Sequence, residues 1–449
     1  MILGFDISIL FSIVIFGIIC LVICYLFLVE LGFFKPKNLE PSTLKRLSKQ
    51  KPVSRWHWIE NLQNFWRGFG TEELRVYITI AVLVLLSRLI IALIGYMGIM
   101  LFRNETNSFF NTLPWMWNKW DASHLLNIAE HGYVTQTDEK YFIVFYPFYP
   151  LLVRLFTYLT GNNVYAGFLV SNISLVVASI YLYRLAKIDF DSQIAWNTVK
   201  YLLIFPVSFF LGIVYTDSLF LALSILCLYY LRQKKWLIAG LWGAIASLTR
   251  NFGILLLIPA VIEILTATQW LARLREKRFG AMWAELGKAS ICLFLIPVGA
   301  FIYLLINKVV TGDWFTFLKY QSEHWSNRVG FFAENIRNYT QNALTWKPAD
   351  QIALWIPQVL AILLVTILIF YAFRKIHLSY IAYMFGYLFV CVSSTWLISG
   401  PRYLMVLFPL YILLAKLSRH RILNAILTFT SIMLLCFYTI AFVMDFNVM

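Results

Sequence analysis

Asp121, His124, Glu130 and His131 fall within one short stretch, KWDASHLLNIAEHGY (119–133). Two carboxylates and two of the chain's six histidines thus crowd together in a sequence that is 61% hydrophobic. Read as a helix, the stretch puts Asp121, His124, Ile128 and His131 on one face by their i, i+3, i+7, i+10 spacing. Leu125, Leu126 and Ala129 form the neighbouring apolar side. Such a set is open to acid, base or metal chemistry. Asp and His are zinc-ligand types, although no H-E-x-x-H pattern fixes them here, and no metal site is predicted. The alternative is an amphipathic helix anchored at a membrane surface by its polar groups and by Trp115, Trp117 and Trp120.

Other chemistry-bearing residues stand where apolar runs begin or end. Asp217, in YTDSLF, opens a run and reads either as a helix cap or as a second acid. Arg250 lies at the tip between two short runs, and Arg402 follows the Gly400-Pro401 break. Arg88 falls inside a run, where a charge is a functional candidate by default and otherwise half of a structural ion pair. The stretch GDWFTFLKYQSEHWSNRVGFF (312–332) mixes aromatics with Lys319, Glu323, His324 and Arg328. It suits either sugar stacking or an interfacial helix.

These residues must be positioned by membrane-spanning helices. Only 13% of the chain is charged, against about 25% in soluble proteins. Apolar runs of spanning character lie near 7–33, 77–101, 164–186, 197–213, 216–231, 236–249, 252–267, 285–306, 352–373, 378–397, 402–417 and 422–443. Several are short, and 236–249 and 252–267 read as tilted or incomplete spans. The first basic residue is Lys35, so the charged region of a signal peptide is missing and the first run reads as a spanning helix. Alternating the runs across the membrane puts most of the 37 Lys and Arg residues in the loops 34–76, 184–200, 232–235, 273–288, 374–375 and 416–421. By the positive-inside bias these are cytoplasmic. The net charge of +15 is then a topology signal, and no nucleic-acid partner is expected. Segments 103–163 and 307–350, together with Arg250 and Arg402, fall outside, as do both termini. Residues 1–76 read as a spanning helix plus a basic, Trp-bearing linker suited to an anionic inner leaflet, and 77–449 as the main membrane domain.

The prolines of FIVFYPFYPLLVR (142–154) rule out a simple spanning helix after the first motif. That segment is expected to dip into the outer surface and wall a cavity. Cys20, Cys24, Cys227, Cys292, Cys391 and Cys436 all lie in apolar runs and predict no disulfide framework.

The ordered set WDASHLLNIAEHGY, FYPFYPLLVRL, NISLVVASIYLYRLA, YTDSLFLAL, SLTRNFGILL and SGPRYLMVLFPLYILLA resembles the GPI mannosyltransferase II (PIG-V type) family across about residues 77–443. That family belongs to the GT-C glycosyltransferases, multi-spanning enzymes that use polyprenyl-phosphate sugars. The resemblance implies an all-α polytopic membrane protein, a GT-C type bundle of about 10–12 transmembrane helices with amphipathic helices in the first outer loop. It implies transfer of a sugar such as mannose from a polyprenyl- or dolichyl-phosphate donor to a lipid-linked or surface glycan, on the periplasmic or luminal face of a bacterial inner membrane or the endoplasmic reticulum. The family's Asp after Trp maps to Asp121, which would act as general base. Trp120, His124, Glu130, His131, Asp217, Arg250 and Arg402 are the substrate-binding candidates, with Arg402 first and Arg250 second for the leaving lipid phosphate. No cofactor beyond the donor is required, a divalent metal being compatible but not predicted. Two rival classes are a lipid-linked sugar flippase and a non-catalytic subunit of a glycan-assembly complex. The absence of matched halves and the clustering of acids at one surface favour the enzyme.

Overall fold

The computed structural model describes residues 7–30, 71–103, 107–269 and 279–448; most of the basic linker 34–76 lies outside them. Helices dominate, and the described residues form no strand; an isolated bridge pairs Val329 with Ser394. The helices are α1 (Ile7–Glu30), α2 (Glu72–Arg103), α3 (Phe109–Trp117), α4 (Asp121–His131), α5 (Phe148–Thr160), α6 (Asn163–Asp189) and α7 (Ser192–Leu203). They continue as α8 (Asp217–Arg232), α9 (Trp236–Thr249), α10 (Leu257–Ala267), α11 (Phe279–Thr311), α12 (Thr316–Trp325) and α13 (Phe332–Thr345). Then follow α14 (Pro348–Ala372), α15 (Leu378–Val392), α16 (Gly400–Met405), α17 (Pro409–Leu417) and α18 (Arg421–Val443).

Among the described residues, α2, α6, α14, α18 and the stretch Leu286–Thr311 of α11 are long and apolar enough to cross a membrane. Each presents an apolar exterior, as Leu85, Leu89, Ile90, Met97, Phe294 and Phe429 illustrate. Such side chains face lipid at no cost, which is why a chain this apolar is stable in a bilayer and not in water. The molecule is therefore an all-α polytopic membrane protein.

Some expected spans are shorter or broken. The run 197–213 ends as a helix at Leu203, turns, and resumes as a 3₁₀ segment at Ser208–Gly212. The run 402–417 is divided between α16 and α17. Helix α8 has 16 residues and is buried along nearly its whole length. At 1.5 Å per residue it covers about 24 Å, less than a ~30 Å hydrocarbon core. Elements wrapped entirely by protein need not match the bilayer thickness, so hydropathy overstates their length.

A helix break inside a membrane exposes backbone carbonyls that water cannot reach. Arg88 on α2 answers this at the α7 break. Its Nη2 donates to the Leu203 carbonyl at 3.0 Å, and its Nη1 donates to the Ser208 carbonyl. Gly212 makes room for it, since a Cβ there would lie 2.7 Å from the Arg88 Cδ. The reading of Arg88 as one half of an ion pair is thereby corrected: no carboxylate pairs with it among the described residues, and it donates to two main-chain oxygens and, through Nε, to the Ser87 hydroxyl at 3.2 Å.

The ion pairs sort the loops to two ends of the bundle. Arg232–Asp189 (2.7 Å) and Arg419–Asp191 (2.5 Å) mark one end, where Lys416 also donates to the Lys375 carbonyl at 2.9 Å. Asp121, Arg250, Arg402 and Asp445 gather at the other. At the second end the chain also breaks as expected before α5: the 3₁₀ turn Asp138–Val144 and α5 meet at a bend of 108°, with Pro147 at the α5 N-cap.

Candidate active site

Four charged side chains from four separate segments form a continuous chain. Arg402 on α16 donates through Nη1 to Asp121 Oδ2 at 2.6 Å and through Nε to Asp217 Oδ2 at 2.9 Å. Arg250, between α9 and the next 3₁₀ turn, donates through Nη1 to Asp217 Oδ1 at 2.5 Å. Both oxygens of Asp217 are thus taken by guanidinium groups. Two acids and two arginines balance in charge, and charge-assisted bonds of this kind are the condition under which ions are tolerated away from water.

Exposure separates the four. The Asp217 side chain is 0% accessible, Arg402 5% and Arg250 7%, whereas Asp121 is 25% accessible. Asp121 is the solvent-accessible member, and Asp217 is the interior counter-ion. The cap reading of Asp217 is not met: it is the first residue of α8, and its side chain serves arginines and not the helix end. Aromatic rings close around the cations. Arg402 lies 4.2 Å from the Tyr215 ring centroid, and Arg250 lies 5.0 Å from that of Tyr403, where ring faces add cation–π attraction.

Asp121 is aimed by the backbone before it. Trp120 has φ 55° and ψ −126°, a region that bulky residues avoid at a cost of about 1–3 kcal/mol. Both anchors of this turn are visible. The Lys119 carbonyl accepts from the Tyr215 hydroxyl at 2.9 Å, and Lys119 Nζ donates to the Val443 carbonyl at 2.7 Å and to Asp445. Arg103 also pairs with Asp445. Burial acts to raise the Asp445 carboxyl, but the bonds from Lys119 and Arg103 outweigh it and hold it below its ordinary value. With Lys119 tied to the C-terminal segment and Asp121 tied to Arg402, Trp120 between them takes the strain and stays 38% exposed. At the far end of α4, Arg154 of α5 donates to the carbonyls of Ala129 and Glu130 at 2.6 and 2.9 Å, a cation where the helix dipole favours one.

The remaining sequence candidates divide. His124 does sit near Asp121, but its ring packs on Phe142 and Phe145 at 4.4 and 5.5 Å. Burial lowers its basicity, with Asp121 pulling the other way and His324 adding to the lowering. Glu130 and His131 do not join the charged chain. Their side chains are exposed near the C-terminal end of α4. The three tryptophans differ in their surroundings: Trp117 is buried against Phe209 and Phe442, Arg103 and Lys119 approach the Trp115 ring, and Trp120 is exposed. The 312–332 segment meets the first loop, with His324 stacked on Tyr141 at 4.5 Å and Trp325 edge-on to Phe145 at 5.8 Å. Among the described residues, no three His, Cys, Asp or Glu side chains converge as a metal site.

Gln358 went unnoticed in the sequence. This fully buried α14 residue accepts from the Gly400 N–H through Oε1 at 3.2 Å. It so fixes the first residue of the six-residue helix that carries Arg402. A Cβ on Gly400 would fall 2.9 Å from the Gln358 Cγ, so the close approach depends on glycine. A polar residue in an otherwise apolar run was the available signal.

A polytopic helical membrane protein with a recessed acid–arginine chain at one end is the class these features define. Residues 146–301 match the family model for dolichyl-phosphate-mannose-protein mannosyltransferase. A 157-residue stretch is 27% identical to GPI mannosyltransferase 2 of Schizosaccharomyces pombe, covering 34% of this chain and 33% of that relative. The chain thus spans about a third of the length of the curated relative it matches. No solved structure matches significantly. Both matches support the resemblance to GT-C mannosyltransferases read from the sequence. The family match takes in Asp217 and Arg250, while Asp121 and Arg402 lie on either side of it.

Proposed function

We propose that this chain is a membrane glycosyltransferase that moves a sugar, mannose by analogy with the relatives' names, from a polyprenyl- or dolichyl-phosphate donor to a glycan or glycolipid acceptor. The observation that carries this reading is the one solvent-accessible carboxylate, Asp121, held by an arginine in an otherwise buried network. An acceptor hydroxyl attacks the anomeric carbon, forming the new C–O bond. The bond from that carbon to the phosphate oxygen breaks, and its electron pair leaves with the lipid phosphate. The hydroxyl proton passes to Asp121, and the configuration inverts.

The Asp121–Arg402 bond gives this step a charge logic. While Asp121 is ionised, it and Asp217 balance Arg402 and Arg250. As Asp121 takes the proton, its hold on Arg402 weakens. At that moment negative charge grows on the leaving phosphate, and the guanidinium is pre-positioned to meet it. Asp217 keeps both arginines in place throughout. The positive-inside distribution supports an active site on the periplasmic or luminal face, with residues 77–449 as the catalytic membrane domain and 1–76 as an added span and linker.

The test is reconstitution of the purified chain in liposomes with a radiolabelled polyprenyl-phosphate mannose and a crude glycolipid fraction. Transfer of label to an acceptor that depends on the chain supports the reading. Export of the intact donor across the bilayer, with no new glycosidic product, would replace it with the flippase.

A further inference from the structure

Against α4 lies an open groove of about 640 Å³, with Leu126 and Val164 as its apolar lining, within the usual range for small-molecule sites. Three segments line it: the turn before α4, the face of α4 carrying Ser123, Asn127 and Glu130, and the Gly161–Val164 entry to α6. The three α4 residues follow i, i+4, i+7, so they form one stripe. Asn118, Asn162 and Asn163 complete the polar lining.

The chemistry of this lining is selective. Amides and hydroxyls both donate and accept, which matches the same duality in sugar hydroxyls. Neither Lys nor Arg lines the groove, and its one charge is a carboxylate. An anionic ligand such as a lipid phosphate is therefore disfavoured here and belongs with Arg402 and Arg250. One contact is open to exchange with a ligand, whereas the Asn127 Oδ1 is enclosed and its amide donates to Glu139 at 2.9 Å. The Asn163–Glu130 bond is long, at 3.3 Å, and thus readily exchanged for bonds to a ligand. Asn118 and Ser123 flank Asp121 within three residues of sequence, and exposed Trp120 stands between them. Asp121 does not line the groove, and the Ser123, Asn127 and Glu130 stripe lies on the opposite face of α4 from it.

We infer that this groove is a subsite for a neutral, hydroxyl-rich glycan, which seats on the amides of its lining. The binding claim stands on the groove alone and is independent of the proposed role of Asp121.

The experiment is saturation-transfer NMR on the full chain in nanodiscs with mannobiose, cellobiose and maltose, with inorganic phosphate as competitor. At least one disaccharide should bind saturably, and phosphate should not displace it. Ser123→Trp, a surface change that fills the groove, and Asn163→Leu should each raise Kd tenfold or more. Asp121→Asn should bind within twofold of the parent. Failure of all three sugars to bind, displacement by phosphate, or unchanged Kd in both groove variants would overturn the inference. Sugar binding that obeys these expectations in an Asp121→Asn chain that still transfers would uphold the groove and remove Asp121 as base, which keeps the two ideas separable.

Discussion

Asp217→Asn is the sharpest probe of the charged chain, because Asp121→Asn provides its internal control. Asp217 is 0% accessible and accepts from Arg250 and Arg402 at 2.5 and 2.9 Å. Asparagine keeps the shape but removes the charge, and it can accept through one oxygen only. Its amide N–H would then point at the other guanidinium. Two arginines would be left buried with one carboxylate, Asp121, which pairs with Arg402 alone. Removing one partner of a buried pair costs about 3–5 kcal/mol. In Asp121→Asn, Arg402 retains Asp217, and the lost partner is a quarter exposed, so the cost should fall to about 1 kcal/mol. The assay is reversible unfolding in mixed micelles with increasing sodium dodecyl sulfate, followed by tryptophan fluorescence. Equal stability losses in the two variants, or parent-like stability for Asp217→Asn, would refute the assignment of Asp217 as the interior counter-ion.

Arg88→Met should destabilise the chain by about 1–3 kcal/mol, since the Ser208 carbonyl loses its guanidinium donor while the Leu203 carbonyl keeps the Ser208 hydroxyl at 2.8 Å; this is measured in the same titration, and transfer should fall only in proportion to folded protein. Gln358→Leu should lower kcat about tenfold or more with KM little changed, since it releases the helix that carries Arg402; steady-state transfer kinetics check this. His124 is less basic when folded than when unfolded, chiefly through burial. The unfolded chain therefore takes up the proton first as pH falls, so stability should drop as pH falls through about 6.5. His124→Phe, which keeps the stacking on Phe142, should flatten that part of the stability profile.

Much of this site was legible in the sequence, and the reasons are specific. Asp121 stood out as a carboxylate behind tryptophans in a polar interruption of apolar runs. Arg250 and Arg402 fell on its side of the membrane because basic residues distribute unevenly across bilayers. The structure adds that both arginines reach one residue, Asp217. Their sequence separation hides this, and its place at the start of an apolar run imitates a cap. Arg88 was recognisable as an intramembrane charge, but its distant partners are two main-chain oxygens beside a helix break at Leu203, and no side-chain pattern encodes those. Hydropathy also treated 197–213 and 402–417 as full spans, because a buried broken helix is as apolar as a continuous one. Glu130 and His131 shared a helix with Asp121 without sharing its surroundings, since periodicity assigns faces but not what packs against them.

The central claim is that Asp121 takes the acceptor proton. Its most direct measurement is single-turnover transfer from a labelled polyprenyl-phosphate sugar by the parent and by Asp121→Asn, both shown to be folded by the detergent titration. The account predicts a rate lower by about 10²–10⁴-fold in the variant. Transfer by Asp121→Asn at the parent rate would contradict it.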